Sequence, residues 1–262
     1  MSRSRDHRFP EDAFPSIVAH RGASSTHPEN TLPSFEAAIQ LGATIVELDV
    51  RVSADGVPVV MHDPTVDRTT DGTGAVHQLA AAELGRLNAG AEEEPATVPT
   101  LAEVLDLTSG RVAVALEVKN IPGEPGFDAR REATVGAVHV ELARTAFRGP
   151  VLLIAFNPAS LVASRAIAPE VPTGFLTTRL VDPREALAHA VAQGHDLVLP
   201  GTRALEPAAE AFVQEVHDAG LRIGTWTVDE PDEVDRLLSW GLDAVASNDP
   251  AMALEVLAAH LG

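Results

Sequence analysis

Residues 44–62 read TIVELDVRVSADGVPVVMH. A Val/Ile-rich run, the turn pair Asp55-Gly56 and a second Val-rich run mark a strand followed by a hairpin partner. Glu47 and Asp49 stand two apart in the first run, so a strand aims both carboxylates to one face. A strand packed between a core and a layer of helices has no structural use for two inward acids, which without partners are costly or take up protons. If Asp55-Gly56 is a two-residue loop, Ala54 pairs with Val57, Ser53 with Pro58 and Val50 with Met61. That register puts His62 opposite Asp49.

Outward from this stretch, apolar runs alternate with amphipathic segments along the whole chain, the pattern of repeated βα units. Strands are predicted at 17–20, 44–52, 112–118, 151–155, 173–176, 197–199, 222–228 and 244–247. Helix starts are well marked: Thr100 with Glu103 forms a capping box, and Asp182-Pro183 and Asp249-Pro250 each place an N-cap before a first-turn proline. Gly42, Gly194, Gly220 and Gly241 sit where helices should end. Eight strands with intervening helices and no domain-sized linker favour an α/β fold of the (β/α)8 TIM-barrel type over a doubly wound sheet. The expected organisation is one barrel domain over 17–262, with a hairpin after the second strand. An irregular insertion at about 65–97 carries RTTDGTG, AEEEPA and one helix near 80–87. Residues 1–16 are expected to form a poorly ordered extension. The Gly/Pro-rich loop NIPGEPGF, 120–127, follows the third strand, where barrel loops shape sites.

The 262 residues include 19 basic and 38 acidic side chains, a formal charge of −19, with 45% hydrophobic residues. A surface this acidic argues against nucleic acid or an anionic membrane as partner, since both call for excess Lys and Arg. The absence of Cys excludes thiolate metal sites, disulfides and a cysteine nucleophile. The first fifteen residues, MSRSRDHRFPEDAFP, have no apolar core, so neither a signal peptide nor a membrane span is expected and the setting is read as cytoplasmic. Oligomeric state is left open.

Chemistry concentrates at the predicted strand ends. His20 and Arg21 close the first strand, and Glu117 and Lys119 share a face of the third, next to the second in a barrel. Each residue alone has a structural use; Glu117 with Lys119 would make an ordinary ion pair. Together, three carboxylates, two His, one Arg and one Lys at neighbouring strand ends read as a site. Three oxygen ligands without Cys suit one hard divalent cation, Mg2+ or Ca2+. Arg21 and Lys119 suit a phosphate, and His20 and His62 suit acid and base work. The other eight His are read as solvent-facing or incidental.

His20-Arg21-Gly22, Pro28-Glu29-Asn30-Thr31, Glu47-Leu48-Asp49-Val50, Val59-Val60-Met61-His62-Asp63, Arg68-Thr69-Thr70, Glu117-Val118-Lys119 and Trp226-Thr227-Val228 together resemble the glycerophosphodiester phosphodiesterases. These are metal-dependent (β/α)8 hydrolases related to the phosphoinositide-specific phospholipases C. The resemblance implies that Glu47, Asp49 and Glu117 bind the metal, that His20 and His62 are acid and base, and that Arg21 and Lys119 hold the phosphate. It implies that Trp226 packs against the glycerol or leaving group and that Phe156 lies at the rim. The implied reaction converts a small glycerophosphodiester to glycerol 3-phosphate and an alcohol. Ala155 stands where the family commonly has Ser, and Ser247-Asn248-Asp249-Pro250 departs from a usual Thr-Asp pair before the proline. The alternatives are a lysophospholipase D-like enzyme, a silent phosphate-binding barrel and a Mg2+-dependent lyase or aldolase. The same carboxylates lead to one further expectation: because they face each other without compensation, Asp49→Asn should leave the metal-free fold as stable or more stable.

Overall fold

Runs of Val, Ile and Leu buried on both faces form parallel strands, and closing them into a barrel leaves no unpaired edge. The structure is a computed structural model that describes residues 7, 9, 10, 13–91, 94–205 and 209–262. In chain order the elements are β1 (Ser16–Ala19), α1 (Leu32–Gln40), β2 (Ile45–Val52), β3 (Pro58–Val60), α2 (Ala81–Leu84), α3 (Leu101–Thr108), β4 (Ala113–Val118), α4 (Ala133–Thr145) and β5 (Val151–Ala155). There follow α5 (Pro158–Ile167), β6 (Thr173–Thr177), α6 (Pro183–Gln193), β7 (Leu197–Pro200), α7 (Thr202–Leu205), α8 (Ala209–Asp218), β8 (Arg222–Thr225), α9 (Pro231–Ser239), β9 (Ala244–Ser247) and α10 (Pro250–Leu261). Eight parallel strands run β1-β2-β4-β5-β6-β7-β8-β9, and β9 pairs with β1 to close the ring. The short β3 lies outside it, antiparallel to the end of β2. This is the (β/α)8 barrel predicted from the βα rhythm.

Helix ends obey the local chemistry. The Thr100 hydroxyl accepts from the Glu103 N–H while the Glu103 carboxylate accepts from the Thr100 N–H, and Asp182 and Asp249 accept from Arg184 N–H and Met252 N–H. Outward strand residues such as Val46, Leu48, Val114 and Leu116 pack against α1, α3 and α4. The inward rows are apolar low in the barrel, with Ile45, Ala113, Ala115, Leu152 and Ile154. Higher in the same rows stand Glu47 and Asp49 on β2 and Glu117 on β4, with Lys119 just past the end of that strand. The change from apolar to charged therefore happens within single strands, at their C-terminal ends.

Three expectations need correction. The hairpin pairs Val50 with Val60 and Val52 with Pro58, one residue off the predicted register. The loop has three residues, with Ser53 N–H donating to Val57 O and Gly56 at φ +81. A two-residue type I′ turn would need positive φ at Asp55 as well, whereas this loop needs it only at glycine. Asp49 therefore faces Met61, whose N–H donates to the Asp49 carbonyl, and His62 lies past the end of β3.

The second correction concerns the extension. Its residues 1–6, 8, 11 and 12 lie outside the described residues, but His7, Phe9, Phe14 and Ser16 are docked. The Val151 N–H donates to His7 O, and Phe9 and Phe14, 5.8 Å apart, join the apolar residues at the base of the barrel interior. An open barrel end exposes that apolar floor to water, and two aromatic rings cover it. Third, His7 and His195 are buried and not solvent-facing, and the His195 ring shares a hydrogen bond with the Thr173 hydroxyl. The insertion builds a small core of its own, in which Val66, Val76 and Leu84 pack on Val59, Met61 and Val98.

Candidate active site

At the top of the inward rows of β2 and β4, Glu47, Asp49 and Glu117 each offer an oxygen within 4.8 Å of the others. Asp49 and Glu117 are register partners across the two strands. All three carboxylates are buried, and so is Lys119, whose ammonium lies 3.1 Å from Asp49 Oδ1 and 2.5 Å from Glu117 Oε1. Arg21 follows β1 at φ +58; its Nε lies 3.2 Å from Asp49 Oδ2, its Nη1 donates to Glu29 and its backbone N–H donates to Glu47 Oε2. The turn that makes this possible requires Gly22 at φ +84, because a Cβ there would come within 2.6 Å of the Ser34 backbone.

The three acids are unequal. Burial, then the Asp49 and Glu117 charges, push the Glu47 carboxyl well above its ordinary value. Burial also raises Glu117, to about 7, against the opposing pull of Lys119. For Asp49, burial is outweighed by Lys119 and Arg21, which hold it far below the usual range. Asn30 adds to this by donating through Nδ2 to Asp49 Oδ2 and accepting from the Asp49 N–H. Glu47 Oε1 is buried with no hydrogen-bond partner. An all-oxygen donor set containing such an orphan fits a hard divalent cation.

This inequality reverses the stability expected of Asp49→Asn. Asp49 is the compensated acid, and neutralising it strips Lys119 and Arg21 of a partner, so the metal-free fold should lose on the order of 3 kcal/mol. Glu47→Gln should do the opposite. A carboxyl with a raised folded-state value contributes stability at acid pH that is lost as pH rises. In the metal-free wild type, Glu47 and Glu117 should accordingly contribute a fall in Tm from pH 5 to 8, set against the rise contributed by the lowered His20, His62, His139 and His195. Glu47→Gln should flatten part of that fall and melt a few °C higher at pH 8, at ~2–4 °C per kcal/mol. Calorimetry of both variants after chelation checks the ordering.

Both imidazoles stand beside this cluster. His20 is half-buried, with Nε2 4.0 Å from Glu47 Oε2 and Nδ1 2.7 Å from Asn248 Oδ1. His62 Nδ1 is 2.6 Å from Asp63 Oδ1, and Arg51 donates twice to the His62 carbonyl while also bonding Glu124. Burial lowers both: Arg21 adds to the effect at His20, while at His62 the Asp49 charge opposes it. Arg68 ties Asp63 to Glu29 by donating to both. Phe156 and Trp226 meet edge to face at 5.2 Å across the barrel mouth, and Trp226 Nε1–H donates to Leu199 O. All nine residues singled out in the sequence thus lie at this end of the barrel. Arg51, Glu124, Asp63 and Asp229 were not singled out. For Arg51 a signal existed, since it continues the Glu47-Asp49 alternation; for Asp229, which contacts Asn248, there was none.

Comparison with known proteins identifies the setting of this geometry. The model of the glycerophosphoryl diester phosphodiesterase family matches residues 20–252. The chain belongs to that family. A glycerophosphodiester phosphodiesterase of Caldanaerobacter subterraneus subsp. tengcongensis is 31% identical over 92% of this chain and 97% of its own. One from Bacillus subtilis is 33% identical over 89% of this chain and 83% of its own. Among solved structures, an Oleispira antarctica phosphodiesterase in complex with its product sn-glycerol-3-phosphate superposes with a TM-score of 0.81 and 30% identity, over 94% of this chain and 98% of that one. Among its described residues no helix is long and apolar enough to cross a membrane.

Proposed function

We propose that this protein hydrolyses glycerophosphodiesters to glycerol 3-phosphate and an alcohol, with a divalent cation held by Glu47, Asp49 and Glu117. The observation that carries this reading is the convergence of three buried carboxylates, one with an orphaned oxygen, beside two imidazoles. When bound, the cation offsets charge on the phosphoryl oxygens. Mg2+ and Ca2+ both suit the all-oxygen set.

Arg21 and Lys119 supply the fixed positive charge of the site, held in place by Asp49, Glu29 and Glu117. In the proposed reaction they orient the phosphate. His20 and His62 divide the proton work: one takes the proton of the attacking O–H and the other delivers one to the leaving alkoxide. With Nδ1 of each ring engaged by Asn248 or Asp63, Nε2 is the nitrogen left for substrate. Phe156 and Trp226 offer an apolar wall for the glycerol carbons at the mouth of the barrel.

The test is a panel of glycerophosphodiesters, lysophospholipids and other phosphodiesters assayed with added Mg2+ or Ca2+. The expected result is equal release of glycerol 3-phosphate and alcohol from glycerophosphodiesters. Faster turnover of lysophospholipids would reassign the substrate class, and activity on none would favour a silent barrel.

A further inference from the structure

Beyond His20, on the side away from the carboxylates, two polar side chains continue its hydrogen-bond chain. Asn248 follows β9 and Asp229 follows β8, so neighbouring strand ends bring them together. Asn248 Oδ1 lies 2.7 Å from His20 Nδ1, and the Asn248 Nδ2 donates to Asp229 Oδ2 at 2.7 Å. Asp229 Oδ1 also accepts from the Asn248 backbone N–H at 2.8 Å and from the Ser247 hydroxyl at 3.1 Å. The Ser24 hydroxyl lies within bonding distance of both Asn248 Oδ1 and the His20 carbonyl.

These contacts allow one arrangement of protons. An ionised carboxylate only accepts, so the amide end of Asn248 that faces Asp229 must be the NH2. The other end, facing His20, is then a carbonyl oxygen, which also only accepts. His20 Nδ1 must therefore carry the hydrogen, and in the neutral ring the lone pair lies on Nε2. Turning the amide over would set Oδ1 against the Asp229 carboxylate and lose that bond, so it is the Asp229 contact, and not the ring contact, that fixes the orientation.

We propose that Asn248 and Asp229 form a positioning relay that fixes His20 in the Nδ1–H tautomer, making Nε2 its sole site of proton exchange with substrate. This rests on the acid-base role given to His20 above. The partner at Nδ1 is a neutral amide, in contrast to the carboxylate of Asp63 behind His62. Asn248 thus orients the ring without placing a full charge on it, and Asp229 acts only by holding the amide.

The experiment combines NMR of 15N-histidine-labelled protein, which reports which ring nitrogen is protonated, with steady-state kinetics. In the wild type the His20 signal should be that of the Nδ1–H form. Asn248→Leu should lose this preference and lower kcat by ~10–100-fold, the usual loss when a group behind the reacting side chain is removed, with a much smaller change in KM. Asp229→Asn removes the constraint on the amide with little change of shape, and should give a mixture of tautomers and a smaller fall in kcat. Retention of the wild-type tautomer and kcat in Asn248→Leu would overturn the relay, as would a loss of kcat in any of these variants with the tautomer intact. Failure of the wild type to cleave any glycerophosphodiester would instead overturn the functional reading, while the tautomer measurement would still decide the relay.

Discussion

Exhaustive chelation of divalent cations is expected to abolish phosphodiester cleavage, and added Mg2+ or Ca2+ to restore it. The reason lies in how little of the carboxylate charge the protein neutralises by itself. Lys119 and Arg21 compensate Asp49, but Glu47 keeps a buried oxygen with no partner, and burial raises Glu117 to about 7. Without a cation these two acids are drawn toward their protonated forms, which bind metal poorly, and the phosphoryl charge is met by Arg21 and Lys119 alone, both already paired with carboxylates. Cation binding must therefore displace protons. Affinity should rise with pH through neutrality as Glu117 ionises, and calorimetry in buffers of different ionisation enthalpy should register proton release. Undiminished turnover in protein shown by elemental analysis to be metal-free would remove the metal from the mechanism. Uptake of cation without proton release would place it at other residues.

The barrel and its charged rim were legible because both depend on the two-residue period of strands. Glu47-Asp49 and Glu117-Lys119 declare an inward face whatever the tertiary detail, and the apolar residues below them declare the same face as core. The hairpin was less legible. Asp55-Gly56 suits both a two-residue and a three-residue loop, and the choice turns on the conformation of Asp55 and the Ser53 hydroxyl bond to Val57. The shift of one residue would have sent His62 to the wrong face had it been in the strand. It lies beyond β3, where Asp63 and Arg51 orient it instead. The compensation of Asp49 was hidden for another reason: Asn30 and Arg21 reach it from the loop after β1, a contact that no local pattern encodes. Phe9 and Phe14 were hidden by the charged, proline-rich sequence around them, although two aromatics in a short polar stretch could have suggested a docked segment.

Replacing the imidazoles separates catalysis from binding. General acid and base catalysis contributes typically ~10²–10⁴-fold, and members of one proton-transfer pair act as a unit whose losses do not add. His20→Ala and His62→Ala should each lower turnover at least ~100-fold. The double variant should be little worse than the poorer single one. Metal affinity should change far less, since neither ring is among the three converging carboxylates and Lys119 and Arg21 keep their partners. His62 carries a second expectation. It is not register-paired with Asp49, yet the Asp49 charge works to raise it against burial. A cation that engages Asp49 cancels that help, so the His62 titration should move lower when metal is added, by an amount NMR can follow. The substitution Asp63→Asn tests orientation apart from charge at Asp49: it weakens the grip on Nδ1 and should reduce turnover while leaving the metal response of His62 in place. Near-normal single-turnover rates in His62→Ala would withdraw the ring from the chemistry. A titration blind to metal would show instead that the Asp49 charge, or the cation, lies too far from it to matter.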